Sequence, residues 1–231
     1  FKTVTGTFEN SEITLISSGI GTDNIDILIN ELDALVNVDL KTGLEKEDHV
    51  SLSIIRLGTS GGLRSDIPSG SFVLAESAVG FDSLLHFYHG YDWILNTPLA
   101  DALAYYLEWP DILSYPYAVN ANNDLLGLFQ NEEFIKGVTI SAPGFYGPQG
   151  RKLRLETFDN EINDKLSRFE FRGQIICNYE MESSALYGLS ALLGHKALTI
   201  CAVIGNRITG EFINDYKPLL KELAIKVMKQ F

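Results

Sequence analysis

The sequence contains few of the residues that cross-link chains or bind metals. Two cysteines and four histidines occur among 231 residues, and Cys177 and Cys201 both lie in apolar stretches. Neither cysteine belongs to a C-x-x-C pair, and the histidines lack the spacing of a zinc site. We therefore expect two buried free thiols in a reducing, cytoplasmic compartment, and no structural or catalytic metal.

A basic surplus and a long apolar run are also missing. The chain carries 30 acidic and 18 basic side chains, for a net charge of −12, which repels a phosphate polymer and an anionic bilayer. No apolar segment approaches the roughly 20 residues that cross a membrane. We therefore expect neither a nucleic-acid polymer nor a membrane as partner. An anionic ligand would need a local group of arginines or backbone N–H groups.

Two common nucleotide-binding patterns are absent as well. The glycine-rich segment 56–62, with sequence RLGTSGG, has neither the lysine of G-x-x-x-x-G-K-[ST] nor the spacing of G-x-G-x-x-G. A triphosphate P-loop and a dinucleotide fingerprint are thus both excluded for this segment.

Short β-branched runs alternate with amphipathic stretches, which predicts an α/β protein. No linker, repeat or low-complexity tract interrupts the chain, so we expect one domain over residues 1–231. Strands are predicted at 12–17, 52–57, 72–75, 137–140, 174–178 and 197–204. Helices are predicted at 22–38, 98–108, 181–193 and 214–230.

Arg56 is the first candidate for a binding residue. It is an ionised side chain in an otherwise apolar predicted strand, and burying such a charge is costly unless it is paired. We expect the strand to end in a glycine-rich turn over 58–62, whose backbone N–H groups could bind an oxyanion. The alternative is a simple tight turn with Arg56 at the surface or in a salt bridge.

A second candidate is the segment 178–183, NYEMES, where a buried strand meets a helix. Carboxylates at this edge of a sheet could accept hydrogen bonds from the hydroxyls of a sugar. Alternatively, Glu180 and Glu182 only stabilise the first turn of the helix through its dipole.

Two further segments follow predicted strands. Segment 145–151, FYGPQGR, combines an aromatic ring, an amide and a guanidinium that could together hold a flat heterocycle, or it is a polar surface loop. In segment 203–207, VIGNR, Asn206 and Arg207 could reach a ligand or cap the next element.

Taken together and in this order, these segments resemble the nucleoside phosphorylase-I family, and most closely its uridine phosphorylase branch. The motifs that match are R-[LI]-G-T-[ST]-G at 56–61, F-Y-x-x-Q-x-R at 145–151, N-Y-E-M-E-S at 178–183 and V-I-x-N-R at 203–207. Weaker matches are S-x-G-I-G at 17–21 and L-H-F at 85–87. The resemblance implies a three-layer α/β/α sandwich around a central mixed, partly barrel-like β-sheet.

The resemblance also implies a pentosyltransferase that converts uridine and phosphate reversibly into uracil and ribose 1-phosphate, in pyrimidine salvage. Inorganic phosphate would be the co-substrate, and no cofactor is expected. The phosphate-binding residues carried over by the resemblance are Arg56, Gly58 and Thr59. Those for the ribose are Glu180, Met181 and Glu182, and those for the base are Phe145, Gln149, Arg151, Ile204 and Arg207. Catalysis would rest on Gln149, Arg151 and Glu182, with Arg207 helping to place Arg151.

The identity of the base is predicted from one position. Purine-specific branches of the family usually have an aspartate, which protonates purine N7, where this chain has Asn206. Its absence favours uracil. The alternatives are a purine nucleoside phosphorylase, a nucleosidase of the same family that uses water, or a nucleoside-binding module without turnover.

The given sequence differs from the family in one part of the phosphate site. The family also uses a G-D-P-x-R segment near its N-terminus and an arginine from a neighbouring subunit, and neither is found in this chain. Either that N-terminal segment is missing from the given sequence or phosphate is bound by a reduced set of groups. We expect a homo-oligomer, a dimer or a trimer of dimers, with the aromatic-rich stretch 81–110 as a contact surface.

Overall fold

The computed structural model describes residues 1–9, 11–130 and 133–231. Its strands are β1 Thr3–Phe8, β2 Ser11–Ile16, β3 Val38–Asp39, β4 Leu44–Glu45, β5 Ser53–Gly62, β6 Phe72–Gly80, β7 Tyr117–Asn120, β8 Ile135–Ser141, β9 Glu170–Phe171, β10 Gln174–Glu180 and β11 Lys196–Asn206. Its helices are α1 Thr22–Asn37, α2 Thr97–Tyr106, α3 Asn123–Leu128, α4 Ile162–Arg168, α5 Ser183–Leu192 and α6 Lys217–Met228. All the strands and helices predicted from the sequence are present, with shifted ends.

The central sheet is mixed and closes partly on itself. Its strands follow the order β11-β5-β10-β8-β6-β7, and β6 pairs again with β11 through residues 72–74 and 200–202. The pairs β11–β5, β10–β8 and β6–β8 are parallel, whereas β10–β5, β11–β6 and β6–β7 are antiparallel. The partly barrel-like sheet implied by the family resemblance is therefore confirmed.

Helices cover both faces of this sheet. Ala78 and Val79 are neighbours on β6, so their side chains point to opposite faces, and they belong to different apolar clusters. The Ala78 cluster includes residues of α1, α5 and α6, and the Val79 cluster includes residues of α2 and α4. Among the described helices, none is long and apolar enough to cross a membrane.

A third, smaller cluster joins three strands of the closed sheet. It contains Val73 of β6, Cys177 of β10 and Val203 of β11. Cys177 and Cys201 are both buried and unpaired, as the sequence predicts. Burial raises the pKa of each thiol to about 12.

The glycine-rich segment 58–62 is strand and not turn, so the predicted nest of free backbone N–H groups is wrong. β5 continues to Gly62 and pairs with β11 along its whole length. The glycines provide space: a Cβ on Gly61 would lie 3.0 Å from Nη2 of Arg207, and one on Gly62 would lie 3.1 Å from Nδ2 of Asn206. The side chains of the last residue of β11 and of the residue after it therefore lie directly against the backbone of β5.

Candidate active site

One cavity of about 580 Å³ receives residues from all four candidate segments. Every site residue predicted from the sequence lines it, namely Arg56, Gly58, Thr59, Phe145, Gln149, Arg151, Glu180, Met181, Glu182, Ile204 and Arg207. These residues come from β5, from the ends of β10 and β11 with the residues that follow them, and from the loop after β8, which the closed sheet brings together. A cavity of this size is in the usual range for a small-molecule site.

Arg56 is held at the base of the cavity by two carboxylates. Its Nη1 lies 3.0 Å from Oε2 of Glu180, and its Nη2 pairs with Oε2 of Glu182. The sulfur of Cys201 lies 3.4 Å from Nη1. Burial alone would lower the pKa of Arg56, but the charges of Glu180 and Glu182 raise it above its ordinary value. Of the alternatives that the sequence left open for Arg56, the structure therefore shows the one in which it forms salt bridges.

Gly58 is required by the position of this guanidinium. A Cβ at residue 58 would lie 2.5 Å from Nη1 and 2.8 Å from Cζ of Arg56, inside contact distance. The Arg56 side chain thus folds back over the backbone of its own strand, and only glycine leaves room for it.

Glu180 is the last residue of β10, and it is almost fully buried. Its carboxylate accepts hydrogen bonds from three donors, which are the hydroxyl of Ser141 and the backbone N–H groups of Glu182 (2.9 Å) and Ser183 (3.0 Å), and it forms an ion pair with Arg56. Glu180 therefore joins Arg56 to the N-terminus of α5.

Glu182 precedes α5 and is also buried. Its carboxylate accepts the N–H of Gly21 at 2.6 Å and that of Met181 at 3.3 Å, besides its pair with Arg56. Burial, together with the neighbouring charge of Glu180, raises the pKa of the Glu182 carboxyl, although Arg56 opposes this shift. A raised pKa in a cavity wall marks Glu182 as a candidate functional group.

The loop after β8 supplies an amide and a guanidinium to the cavity. Gln149 lies in a short 3₁₀ turn and is buried, and its Oε1 accepts a 2.7 Å hydrogen bond from Nη2 of Arg207. Cζ of Arg151 lies 4.0 Å above the ring of Phe145, a cation–π contact. Burial lowers the pKa of Arg151. Arg207 was predicted to help place Arg151, but its hydrogen bond is to Gln149.

Asn206 lies outside the cavity wall. Its Nδ2 donates to the carbonyl oxygens of Arg64 (2.7 Å) and Ile67 (2.8 Å), and its Oδ1 accepts the N–H groups of Ile208 and Thr209. Because these bonds occupy both ends of the amide, the side chain ties two backbone segments together. It does not contribute to the surface that a base would contact.

Several residues of the cavity were not singled out from the sequence. Ser18, Gly19 and Ile20 belong to the weak motif at 17–21, so a signal existed for them. No motif pointed to the other wall residues, which are Phe212, Tyr216 and Leu220.

A second, larger cavity of about 770 Å³ contains none of the predicted site residues. Its walls come from residues 107–113, 147–148 and 156–165, with Phe81 and Pro143. Within the described ranges of the chain, no group of three or more His, Cys, Asp or Glu residues is placed to hold a metal ion.

The geometry of the smaller cavity suits a ligand with an anionic, a hydroxylated and a planar part. A paired arginine, a buried carboxylate and an aromatic–guanidinium–amide group are the usual partners for these three chemistries. The phosphorylase superfamily model matches residues 1–230 of the chain. The protein belongs to this family, whose members include nucleoside phosphorylases, which are pentosyltransferases.

The relatives found by sequence comparison are distant in sequence. A uridine phosphorylase of Thermococcus kodakarensis is 27% identical over 212 residues, covering 92% of this chain and 64% of its own length. A DeoD-type purine nucleoside phosphorylase of Listeria welshimeri is 26% identical, covering 96% of this chain and 79% of its own. The chain thus spans just under two thirds of the Thermococcus relative.

The fold is similar to solved structures of the same kind. A nucleoside phosphorylase of Trypanosoma brucei, described as showing uridine phosphorylase activity, superposes with a TM-score of 0.80 at 25% identity, covering 99% of this chain and 82% of that one. A structure from work on two uridine phosphorylases of the oomycete Phytophthora capsici has a TM-score of 0.65 at 19% identity, covering 99% and 77%. The latter supports the fold alone.

Proposed function

We propose that the protein is a uridine phosphorylase, which transfers the ribosyl group of uridine to inorganic phosphate and releases uracil. The observation that carries this proposal is one cavity in which Arg56 and Glu182 lie together with Gln149 and Arg151. Arg56 and Thr59 bind phosphate, Glu182 and Met181 hold the ribose beside Glu180, and Gln149 and Arg151 bind the base. Phe145 and Ile204 form its apolar contacts.

The reaction needs no nucleophile from the protein. Breaking the C–N bond of a nucleoside leads through an oxocarbenium-like state, as in glycoside hydrolysis, and phosphate itself attacks C1′. The departing uracil takes the bonding electron pair as an anion. Gln149 and Arg151 can donate hydrogen bonds to that developing charge, and such donors are commonly the largest contribution to catalysis.

Two features of the cavity support uracil over a purine. Among the described residues that line it, the carboxylates are Glu180 and Glu182, and both are held by Arg56. Neither is therefore free to protonate a purine at N7. The hydrogen bond from Arg207 also fixes Oε1 of Gln149, which orients its amide NH₂ group. The Asn206 side chain does not line the cavity. This residue therefore supports uracil over a purine only because it supplies no acid to the cavity.

The pairing of Arg56 supports phosphate over water as the nucleophile. A nucleosidase has no use for a buried guanidinium in this cavity, whereas a guanidinium has five N–H donors and can bind a phosphate oxygen while it keeps both carboxylate partners. A binding module without turnover would keep the same contacts, so only an assay distinguishes it.

We further propose that the protein works as a homo-oligomer. The stretch 81–110 exposes large aromatic side chains to solvent, among them Phe87 at 83%, Trp93 at 86% and Tyr105 at 89%. Exposed apolar side chains grouped in one region are typical of a surface between subunits.

Release of free base tests the substrate. Uridine, inosine and methylthioadenosine are incubated separately with the protein, with and without phosphate, and the products are separated by chromatography. We expect uracil only, and only with phosphate. Hypoxanthine release with phosphate would indicate a purine phosphorylase, purine release without phosphate would indicate a nucleosidase, and uridine binding without release would indicate a binding module.

A further inference from the structure

We propose that Ser141 is a positioning residue, which fixes the Glu180 carboxylate and through it holds Arg56 in place to receive phosphate. This inference rests on the phosphate role proposed for Arg56. Ser141 belongs to none of the motifs identified in the sequence, and it does not line the cavity.

The hydrogen-bond pattern gives the Ser141 hydroxyl a defined direction. Its oxygen accepts the backbone N–H of Ser184 at 2.9 Å. Its own proton is donated to Oε1 of Glu180. Because Ser141 is fully buried, water cannot replace either bond. The hydroxyl therefore has a single partner for its proton, which is the carboxylate.

Glu180 transmits this constraint to Arg56. One oxygen of the carboxylate faces Ser141, and the other lies 3.0 Å from Nη1 of Arg56. The N–H of Ser183 contacts both oxygens, at 3.0 and 3.1 Å, so the carboxylate plane is fixed against the start of α5. Without the Ser141 hydroxyl, the carboxylate would keep its charge but lose one of the three hydrogen-bond donors that set its orientation.

The sheet provides a matched comparison two residues away. On the parallel strands β8 and β10, Ser141 pairs in register with Glu180, and Thr139 pairs with Asn178. The hydroxyl of Thr139 donates to Oδ1 of Asn178 at 2.7 Å, and both side chains are fully buried. The two pairs are thus alike in strand, burial and hydrogen bond, but neither Thr139 nor Asn178 lines the cavity.

The test compares Ser141→Ala with Thr139→Val. Each variant removes one buried hydroxyl that donates to a side chain of β10, and Ser141→Ala also leaves the N–H of Ser184 without its acceptor, so both variants are expected to lower the midpoint of thermal unfolding. The Michaelis constants for phosphate and for uridine are measured for each, together with the thermal shift that inorganic phosphate alone produces.

We expect Ser141→Ala to raise the KM for phosphate about tenfold or more, which corresponds to the loss of one charge-assisted hydrogen bond. The KM for uridine should change far less, and Thr139→Val should leave both constants close to wild type. Equal phosphate constants in the two variants would overturn the proposal, because Ser141 would then be only a structural residue.

A second variant covers the case in which Ser141→Ala does not fold. Glu180→Gln keeps an acceptor that can face Ser141 but turns an amide NH₂ group towards Nη1 of Arg56 and the N–H of Glu182, so the guanidinium should be displaced and phosphate binding should also weaken about tenfold. Unchanged phosphate binding in Glu180→Gln would refute the link through the carboxylate.

The phosphate thermal shift separates this inference from the proposed function. If the wild-type protein releases no base but is stabilised by phosphate, the proposed function fails. The comparison of Ser141→Ala with Thr139→Val is then still decided by the thermal shift that phosphate produces in each variant. If the wild-type protein is neither stabilised nor made active by phosphate, the role of Arg56 fails, and the inference fails with it.

Discussion

Replacing Gly58 with alanine should remove phosphate-dependent activity through one side chain. The new Cβ would lie 2.5 Å from Nη1 of Arg56, against about 3.4 Å for ordinary contact, so the guanidinium must recede by about 0.9 Å. The backbone at Gly58 does not have a positive φ, so alanine itself is not strained there.

The expected fall in kcat/KM follows from the contacts that the Arg56 guanidinium would lose. Its 3.0 Å ion pair with Glu180 and its hydrogen-bonded pair with Glu182 cannot both survive such a displacement. A charge-assisted hydrogen bond contributes about 1.5–3 kcal/mol. A loss of about 3 kcal/mol corresponds to roughly a hundredfold lower kcat/KM, at about 1.4 kcal/mol for each factor of ten.

The assay is steady-state phosphorolysis of uridine at varied phosphate concentration. Gly6→Ala is the control, because no atom lies within 4 Å of the Cβ that it would add on β1, and it should behave as wild type. Gly58→Ala is also made in an Arg56→Ala background, where the clash is absent and the midpoint of thermal unfolding should not fall further. The reasoning is refuted if Gly58→Ala keeps wild-type kcat/KM, or if it lowers the unfolding midpoint equally in both backgrounds.

Four other outcomes are expected. Arg151→Ala should lower kcat/KM for uridine by about 2–4 kcal/mol in transition-state stabilisation, and near-native turnover would exclude its role. Burial raises the pKa of Glu182, and only the ionised carboxylate accepts both ribose hydroxyls. Uridine affinity should therefore fall as the pH drops through a value above the ordinary glutamate pKa of about 4.3. A uridine affinity that stays constant down to about pH 4.3 would contradict this expectation. Burial raises the pKa of Cys177 and Cys201 to about 12, so neither thiol should react with iodoacetamide at about pH 8 until the chain is denatured, and mass spectrometry would reveal any label on the native protein. Trp93→Asp should weaken self-association in sedimentation velocity, and unchanged sedimentation would mean that Trp93 is not part of a contact.

Regular elements with strong patterning could be predicted from the sequence. The apolar periodicity of α1 and the apolar run of β11 each gave an element close to its observed range. Short elements could not be recovered this way: β7 has four residues, and α4 is a single polar stretch of seven. Their conformation depends on packing against β6 and β10, which local pattern does not contain.

The glycine-rich segment shows why a local pattern can mislead. Gly58, Gly61 and Gly62 are typical of a turn, but here they allow Arg56, Arg207 and Asn206 to lie close to the strand backbone. For Gly61 and Gly62 that requirement comes from side chains far away along the chain, so the turn prediction failed there for a long-range reason.

The motifs indicated which residues would lie together in one cavity, whereas they did not indicate how these residues pair. Motif order placed all the proposed residues in one cavity, but Arg56 and Glu182 are 126 positions apart and nothing local indicates that they pair. The same holds for Asn206, whose side chain turns to carbonyl groups of residues 64 and 67. The role of Ser141 likewise depends on the register of β8 with β10.

The most direct test of phosphorolysis is the fate of the sugar. ³¹P NMR of the protein with uridine and inorganic phosphate follows ribose 1-phosphate, while chromatography of the same sample follows uracil. We predict that the two products appear in equal amounts and that neither forms in Arg56→Ala. Uracil formed together with free ribose, and with no new phosphate ester, would contradict the assignment of phosphate as the nucleophile.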